Sequence, residues 1–326
     1  MSKHISSASG AVIQESYPPV SIVISNYNGV DCLRSCLSAL SKIRYPSFEV
    51  IIVDSHSTDG SQQMVKSCFP QFKLIELDRR VGIGEALNIG LMHARGEYLV
   101  LDLNSDDLVS ENWLKELVEV MRRSQKIGVV GGKRYLGDSD KIDSAGGRYS
   151  LGITFAIGRG SKDDAKRHSH ICEVDYVPVL LTRRSVIERI GLLDTHYSIY
   201  GEDADFCLRA KAAGYKVLYV PKATLRHQRS TTVGEGTPNR LYFLVRSRLR
   251  LMTKLLPYHN LLPILIVHIL FFSPFYFLYY AKKGRAKPLQ YLRSIRDAFK
   301  DFFSNFRDHM SARRGILRSA KLAPSR

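Results

Sequence analysis

The chain has 326 residues, a formal net charge of +17 and a hydrophobic fraction of 44%. That length allows one large domain or two ordinary ones, and the apolar content excludes wholesale disorder. The charge is uneven: residues 282–326 hold thirteen Lys/Arg against three Asp, a net of +10, so the other 281 residues carry only +7. Five scattered cysteines, with no C-x-x-C pair and no His at zinc-ligand spacing, argue against a disulfide framework and suit a reducing compartment. Residues 1–18 read as a loose polar leader without the apolar core of a signal peptide, so the bulk of the protein is expected in the cytosol.

Residues 20–25 are a β-branched run, the pattern of a buried strand, and end at the turn cluster Asn26-Tyr27-Asn28-Gly29. Residues 31–43 carry Leu33, Cys36, Leu37 and Leu40 at helical spacing. Further strands are expected at 48–53, 72–77 and 98–103. Helices are expected at 61–68, with Ser57 and Asp59 as caps, and at 84–94. Strands alternating with helices of about a dozen residues imply an α/β fold with a mostly parallel central sheet. Such sheets bind ligands beyond the carboxyl ends of their strands. That edge collects 25–28, 54–59 and 104–107. The pair Gly82-Ile83-Gly84 lacks the third glycine of a dinucleotide fingerprint and follows the wrong strand, which excludes NAD.

The second half differs. Residues 131–164, rich in Gly, Ser and Asp, read as loops and short strands covering the site. A strand at 174–181, helices at 183–190 and 203–213, and a strand at 216–220 follow. Residues 261–281 are apolar except His268 and Ser273, and about long enough to cross a bilayer. Pro263 and Pro274 interrupt them and basic residues flank both sides, so spanning and interfacial placements both stay open. Past Pro288, Leu292, Ile295, Phe299, Phe302, Phe303 and Phe306 recur at helical spacing among Arg and Lys. This predicts a basic amphipathic helix for an anionic membrane surface. No aromatic-stacking motif accompanies the charge, and no nucleic-acid partner is expected.

Two acidic groups carry the chemistry. In an extended strand Asp102, Asn104 and Asp106 would share a face. Carboxylates at a strand's carboxyl end suit Mn²⁺ or Mg²⁺ bound with phosphate oxygens, though a solvated turn capping the helix near Glu111 has the same composition. The second group is Glu202-Asp203-Ala204-Asp205 at a helix start. It can cap that helix, or Asp203 can act as a general base on an acceptor hydroxyl. His227 is either an ordinary core or surface histidine or a third metal ligand.

The order of these pieces resembles the family-two glycosyltransferases with a GT-A fold, in the subgroup similar to rhamnosyltransferases. The resemblance runs from Val20 to about Leu255. It rests on 20–29, on Val53-Asp54-Ser55-His56-Ser57-Thr58-Asp59-Gly60-Ser61, on 82–90, on Ala94-Arg95-Gly96-Glu97-Tyr98, on Gly191-Leu192-Leu193-Asp194 and on 202–210. It implies that Ser25, Tyr27, Asp54, Asn88 and Asn104 bind the nucleotide and that Asp106 and His227 hold Mn²⁺ or Mg²⁺. Asp203 is then the base of an inverting displacement, with Glu202 beside it. Asn104, Arg80 and Val177-Pro178 depart from the family pattern. The expected organisation is a leader at 1–18, a catalytic domain at 19–256, and a hydrophobic segment with a basic tail at 257–326. The implied reaction moves a sugar from a nucleoside-diphosphate donor to a hydroxyl of a lipid-linked or cell-envelope glycan at the cytoplasmic membrane face. Alternatives are a polyprenyl-phosphate sugar synthase, a processive polysaccharide synthase and a non-catalytic nucleotide-sugar-binding protein.

Overall fold

The computed structural model describes residues 17–164, 166–228, 237–256, 258–282 and 286–321. All but the last two residues of the expected leader lie outside them. The first half alternates as β1 (Val20–Asn26), α1 (Val30–Leu40), β2 (Phe48–Asp54), α2 (Ser61–Cys68), β3 (Lys73–Glu76), α3 (Ile83–His93) and β4 (Tyr98–Asn104). Then come β5 (Asp107–Val109), α4 (Trp113–Met121), β6 (Ile127–Leu136), β7 (Ile142–Ser144), β8 (Gly147–Ser150), β9 (Ile153–Ala156) and β10 (Cys172–Glu173). The sheet-bearing part closes with β11 (Leu180–Arg183), α5 (Arg184–Ile190), α6 (Glu202–Ala212) and β12 (Lys216–His227). Helices α7 (Pro238–Leu255), α8 (Tyr258–Val267), α9 (Ser273–Lys282), α10 (Pro288–Ser304) and α11 (Phe306–Lys321) follow, with a π-helical turn, His268–Phe272, joining α8 to α9.

The large sheet runs β10-β12-β6-β11-β4-β1-β2-β3. Strands β3, β2, β1 and β4 are parallel, β11 is antiparallel to both its neighbours, and β6 and β12 are parallel again. Side-chain alternation sends Val20, Ile22 and Ile24 to one face, against α1, α2 and α4, and Val23 to the other, against α3, α5 and α6. Both faces are thus covered, as a mostly parallel sheet requires.

Three expectations need correction. Residues 131–164 are not all loop, because β6 is a ten-residue strand near the middle of the sheet. Its Gly131-Gly132 pair looks like a breaker but serves close approach: a Cβ on Gly132 would lie 2.0 Å from the Ala223 carbonyl oxygen, and one on Gly131 2.4 Å from Val177 Cβ. The strand expected at 174–181 is confined to β11, and Val179 before it has φ 48°. The residue capping α2 is Gly60, at φ 87°, although the Asp59 carboxylate still accepts from Ser61 N–H at 3.0 Å.

Helix α7 leaves the sheet and joins a second core. Leu241, Val245, Leu249 and Met252 pack with Ile264, Tyr280, Tyr291, Ala298 and Phe302 of the later helices. Ion pairs tie this unit to the sheet-bearing part: Arg250 and Lys254 each reach the Asp194 carboxylate at 2.7 Å, and Lys254 also meets Asp205.

Candidate active site

Strand β4 delivers the first acidic group, but not by simple alternation. Its register against β1 shifts between Ile22 and Ile24, which places a bulge at Leu101 and Asp102. The parity of buried side chains flips there: Tyr98 and Val100 face one core, Leu99 and Leu101 the other, and Leu103 returns to the first. Asp102 takes the turn of the bulge with φ 63°, a left-handed conformation that Asp adopts more readily than most residues. The expected shared face of Asp102, Asn104 and Asp106 therefore does not form. Ser105 and Asp106 make a turn, and Asp107 opens β5 against β12.

That turn produces a tight cluster. Ligand atoms of Asp106, Asp107 and His227 lie within 4.8 Å of one another. His227 ends β12 directly opposite Asp107, and its Nδ1 is 3.2 Å from Asp107 Oδ1 and 3.5 Å from Asp106 Oδ1. Arg134 of β6 reaches the same oxygen, its Nε 3.3 Å from both Asp107 Oδ1 and Asp143 Oδ2. Asp107 is fully buried, which by itself opposes ionisation. Arg134, His227 and the Asn104 N–H outweigh that burial and hold the carboxyl below its ordinary range.

The second acidic group meets the first. Glu202 and Asp203 form the first turn of α6, after Gly201 at φ 100°. Burial, then the Glu202 and Asp203 charges, drives the Asp102 carboxyl well above its usual range, with Arg134 partly opposing them. Burial and the Asp203 charge push Glu202 up to about 8, and its Oε2 has no hydrogen-bond partner among the described residues. Half-buried Asp203 is raised by burial, with Ala204 N–H and Arg134 acting against the shift. Asp205 points elsewhere: Arg209 at 2.8 Å and Lys254 hold it ionised in the core. Arg134 thus sits between Asp102, Asp106, Asp107 and Asp203, a position the sequence reading missed because it treated 131–164 as cover.

The edge expected to take a nucleotide is built by the ends of β1 and β2. Ser25 and Tyr27 are half-buried, and the Arg80 guanidinium lies 4.1 Å from the Tyr27 ring centroid. Asn104 is half-buried and donates its N–H to Asp107 Oδ2 at 3.2 Å. Asp54 is turned inward: one oxygen accepts from Asn26 at 2.8 Å, the other from Ser57 N–H at 2.9 Å and Gln62 at 2.8 Å. Both polar atoms of the Asn88 amide engage the Leu193 backbone, at 2.9 and 3.1 Å. Asp54 and Asn88, both expected at the nucleotide, brace the neighbouring loops through these bonds.

A doubly covered sheet with a metal-compatible acidic turn beyond its central strand defines the GT-A class of fold. The solved mannosyltransferase PcManGT from Pyrobaculum calidifontis, in complex with GDP-Man and Mn²⁺, shares it with a TM-score of 0.55 at 16% identity, covering 94% of this chain and 87% of that one. The chain belongs to glycosyl transferase family 2, whose profile matches residues 21–191. An N-acetylglucosaminyl-diphospho-decaprenol L-rhamnosyltransferase of Mycobacterium tuberculosis is 27% identical over 244 residues, 68% of this chain and 79% of that protein. The O-antigen biosynthesis protein RfbC of Myxococcus xanthus is 28% identical over 260 residues, 74% of this chain. The chain spans only 20% of RfbC's length. It likewise spans less than two thirds of several other curated relatives.

Proposed function

We propose that this protein transfers a sugar from a nucleoside-diphosphate sugar to a hydroxyl of a lipid-linked or cell-envelope glycan, with inversion at the anomeric carbon. One observation carries the reading: Arg134 pairs with Asp107 of the Asp106–Asp107–His227 cluster and also acts on the charge of Asp203 at the acidic start of α6. Support for the substrate class comes from the rhamnosyltransferase and O-antigen relatives, whose names specify envelope glycans.

Two carboxylates and an imidazole fit Mn²⁺ or Mg²⁺ bound together with phosphate oxygens. Asp106 and His227 would hold the ion, which supplies positive charge against the departing nucleoside diphosphate. Asp107, 3.2 Å from His227 Nδ1, would steady the imidazole beside the ion. Ser25, Tyr27 and Asn104 face the nucleotide in this reading, while Asp54 and Asn88 keep its loops in place. Asp203 takes the proton of the acceptor hydroxyl as that oxygen bonds to the anomeric carbon and the bond to the diphosphate breaks. Its raised proton affinity makes it a stronger base than an exposed aspartate. Glu202, protonated near neutral pH, limits the negative charge next to Asp203. Residues 19–256 form the catalytic unit of this reading and 257–326 its membrane-facing part, at the cytoplasmic face.

The test is a screen of nucleotide-sugars with Mn²⁺ for turnover on lipid-linked glycan acceptors, with product anomers assigned by NMR. Inversion and loss of turnover in EDTA are expected. Full activity in excess EDTA would sink the metal assignment, and a polyprenyl-phosphate sugar product would replace the hydroxyl acceptor.

A further inference from the structure

The segment His259–Lys282 has a mean hydropathy of 2.2 over its most apolar window. At 1.5 Å per residue its 24 residues reach about 36 Å, enough to cross a hydrocarbon core of about 30 Å. Length alone therefore permits a span. Packing decides otherwise, because one face of the helix is docked on the protein from end to end.

Ile264 lies in the core shared with α7 and α10. At the midpoint, His268 Nε2 is 3.0 Å from the Leu151 carbonyl oxygen, at the turn between β8 and β9. Further on, the Arg248 guanidinium of α7 lies 4.5 Å from the Tyr276 ring centroid. Near the end, Tyr280 packs on Tyr291 of α10, with ring centroids 6.0 Å apart. A spanning helix would carry the Leu151 turn, Arg248 and α10 into hydrocarbon with it, where irregular backbone and a guanidinium are both costly.

The opposite face is bare. Leu262, Ile266, Ile269, Leu270, Phe271, Phe275, Leu278 and Tyr279 are 43–67% exposed and recur every three or four residues. Helix α10, packed beside α9, exposes Leu289, Leu292 and Phe303 together with Arg293, Arg296 and Lys300. At 100° per residue these six fall within a sector of about 100°. Apolar side chains mixed with basic ones on one exposed face match the boundary between acyl chains and anionic headgroups.

We propose that α8, the π-helical turn and α9 lie in the plane of an anionic bilayer, bare face down, as a monotopic anchor that α10 reinforces with its basic side chains. The occupant of this surface is lipid, not a second copy of the chain. The inference deepens the membrane part of the proposed function, and vesicle binding and sugar transfer are read separately, so either can fail alone.

The test uses the full chain with vesicles of phosphatidylcholine alone or mixed with phosphatidylglycerol. Binding to the anionic vesicles is expected, and the triple variant Leu270→Glu, Phe271→Glu, Phe275→Glu should weaken it roughly tenfold or more. These positions are already exposed, so the variant should keep the emission of Trp113, which is fully buried in the sheet core. Depth is read with Phe271→Trp, which sits midway along the helix, against lipids brominated near the headgroups or near the chain ends. An in-plane helix is quenched more by the shallow bromines. Stronger quenching by the deep bromines means a span and overturns the proposal. Unchanged vesicle binding by the triple variant also overturns it, as does a concentration-dependent dimer that the triple variant abolishes without any vesicle binding.

Discussion

Replacing Glu202 with Gln should make the protein more stable, by a margin that grows as the pH rises. Glu202 is 6% exposed, and burial, followed by the Asp203 charge, raises its carboxyl from 4.5 to about 8. Between those values the folded chain keeps a proton that the unfolded chain has lost. The stabilisation this gives is complete below about 4.5 and is lost as the pH rises through 8. One pKa unit is worth about 1.4 kcal/mol, so the whole interval amounts to about 5 kcal/mol. Gln keeps the shape and removes the titration. Asp203 titrates in both proteins, while the Glu202 charge that raises Asp102 is absent from the variant, which widens the gap in the same direction. In urea unfolding with EDTA throughout, the Glu202→Gln variant should lead by about 1 kcal/mol at pH 5 and by about 4–5 kcal/mol at pH 8.5. A gap that does not change with pH, or a wild type that leads at pH 8.5, refutes the account of this cleft.

Three further outcomes follow from the same geometry. Asp203→Asn should lower kcat by about 10²–10⁴-fold with donor affinity retained, measured by steady-state kinetics and calorimetry. Arg134→Gln leaves the Asp107 carboxylate buried without its guanidinium, and should cost about 3–5 kcal/mol in chemical unfolding. Asp107→Asn weakens the hold on His227 Nδ1, and should reduce Mn²⁺ affinity about 10–100-fold by electron paramagnetic resonance.

The first half of the fold was legible because its signals are local. Apolar runs of strand length alternate with helical spacing, and β1, α1, β2, α2, β3, α3 and β4 all lie within a few residues of expectation. The illegible parts depend on distant partners. Gly131 and Gly132 read as breakers until Val177 and Ala223 are seen pressed against them. The bulge at Asp102 leaves no mark in the residue pattern, since an alternating strand and a bulged one share the same composition. Arg134 escaped for the same reason: its meaning comes from Asp107, Asp143 and Asp102, which reach it from three other parts of the chain. Asp54 and Asn88 were visible as polar residues near a binding edge, but only coordinates reveal that their side chains turn back to Ser57, Gln62 and Leu193.

The charge balance of the cleft leads to a last expectation. Arg134 faces Asp102, Asp106, Asp107 and Asp143, with Asp203 also within its influence, and Arg159 adds a guanidinium 3.7 Å from Asp143. Buried carboxylates without compensation are costly, so the fold raises the proton affinity of Asp102 and Glu202. A divalent cation at Asp106 and His227 would offer a second form of compensation. Added positive charge lowers the proton affinity of neighbouring carboxyls, so Mn²⁺ binding near pH 7 should expel protons that the apo cleft retains. Calorimetric titration in buffers of different ionisation enthalpy measures that release directly. A net release near neutral pH that shrinks in Glu202→Gln supports the linkage between the two acidic groups. Binding with no proton exchange in any buffer would mean that the Asp106 and α6 ends of the cleft are electrostatically independent, and the joint site would fall.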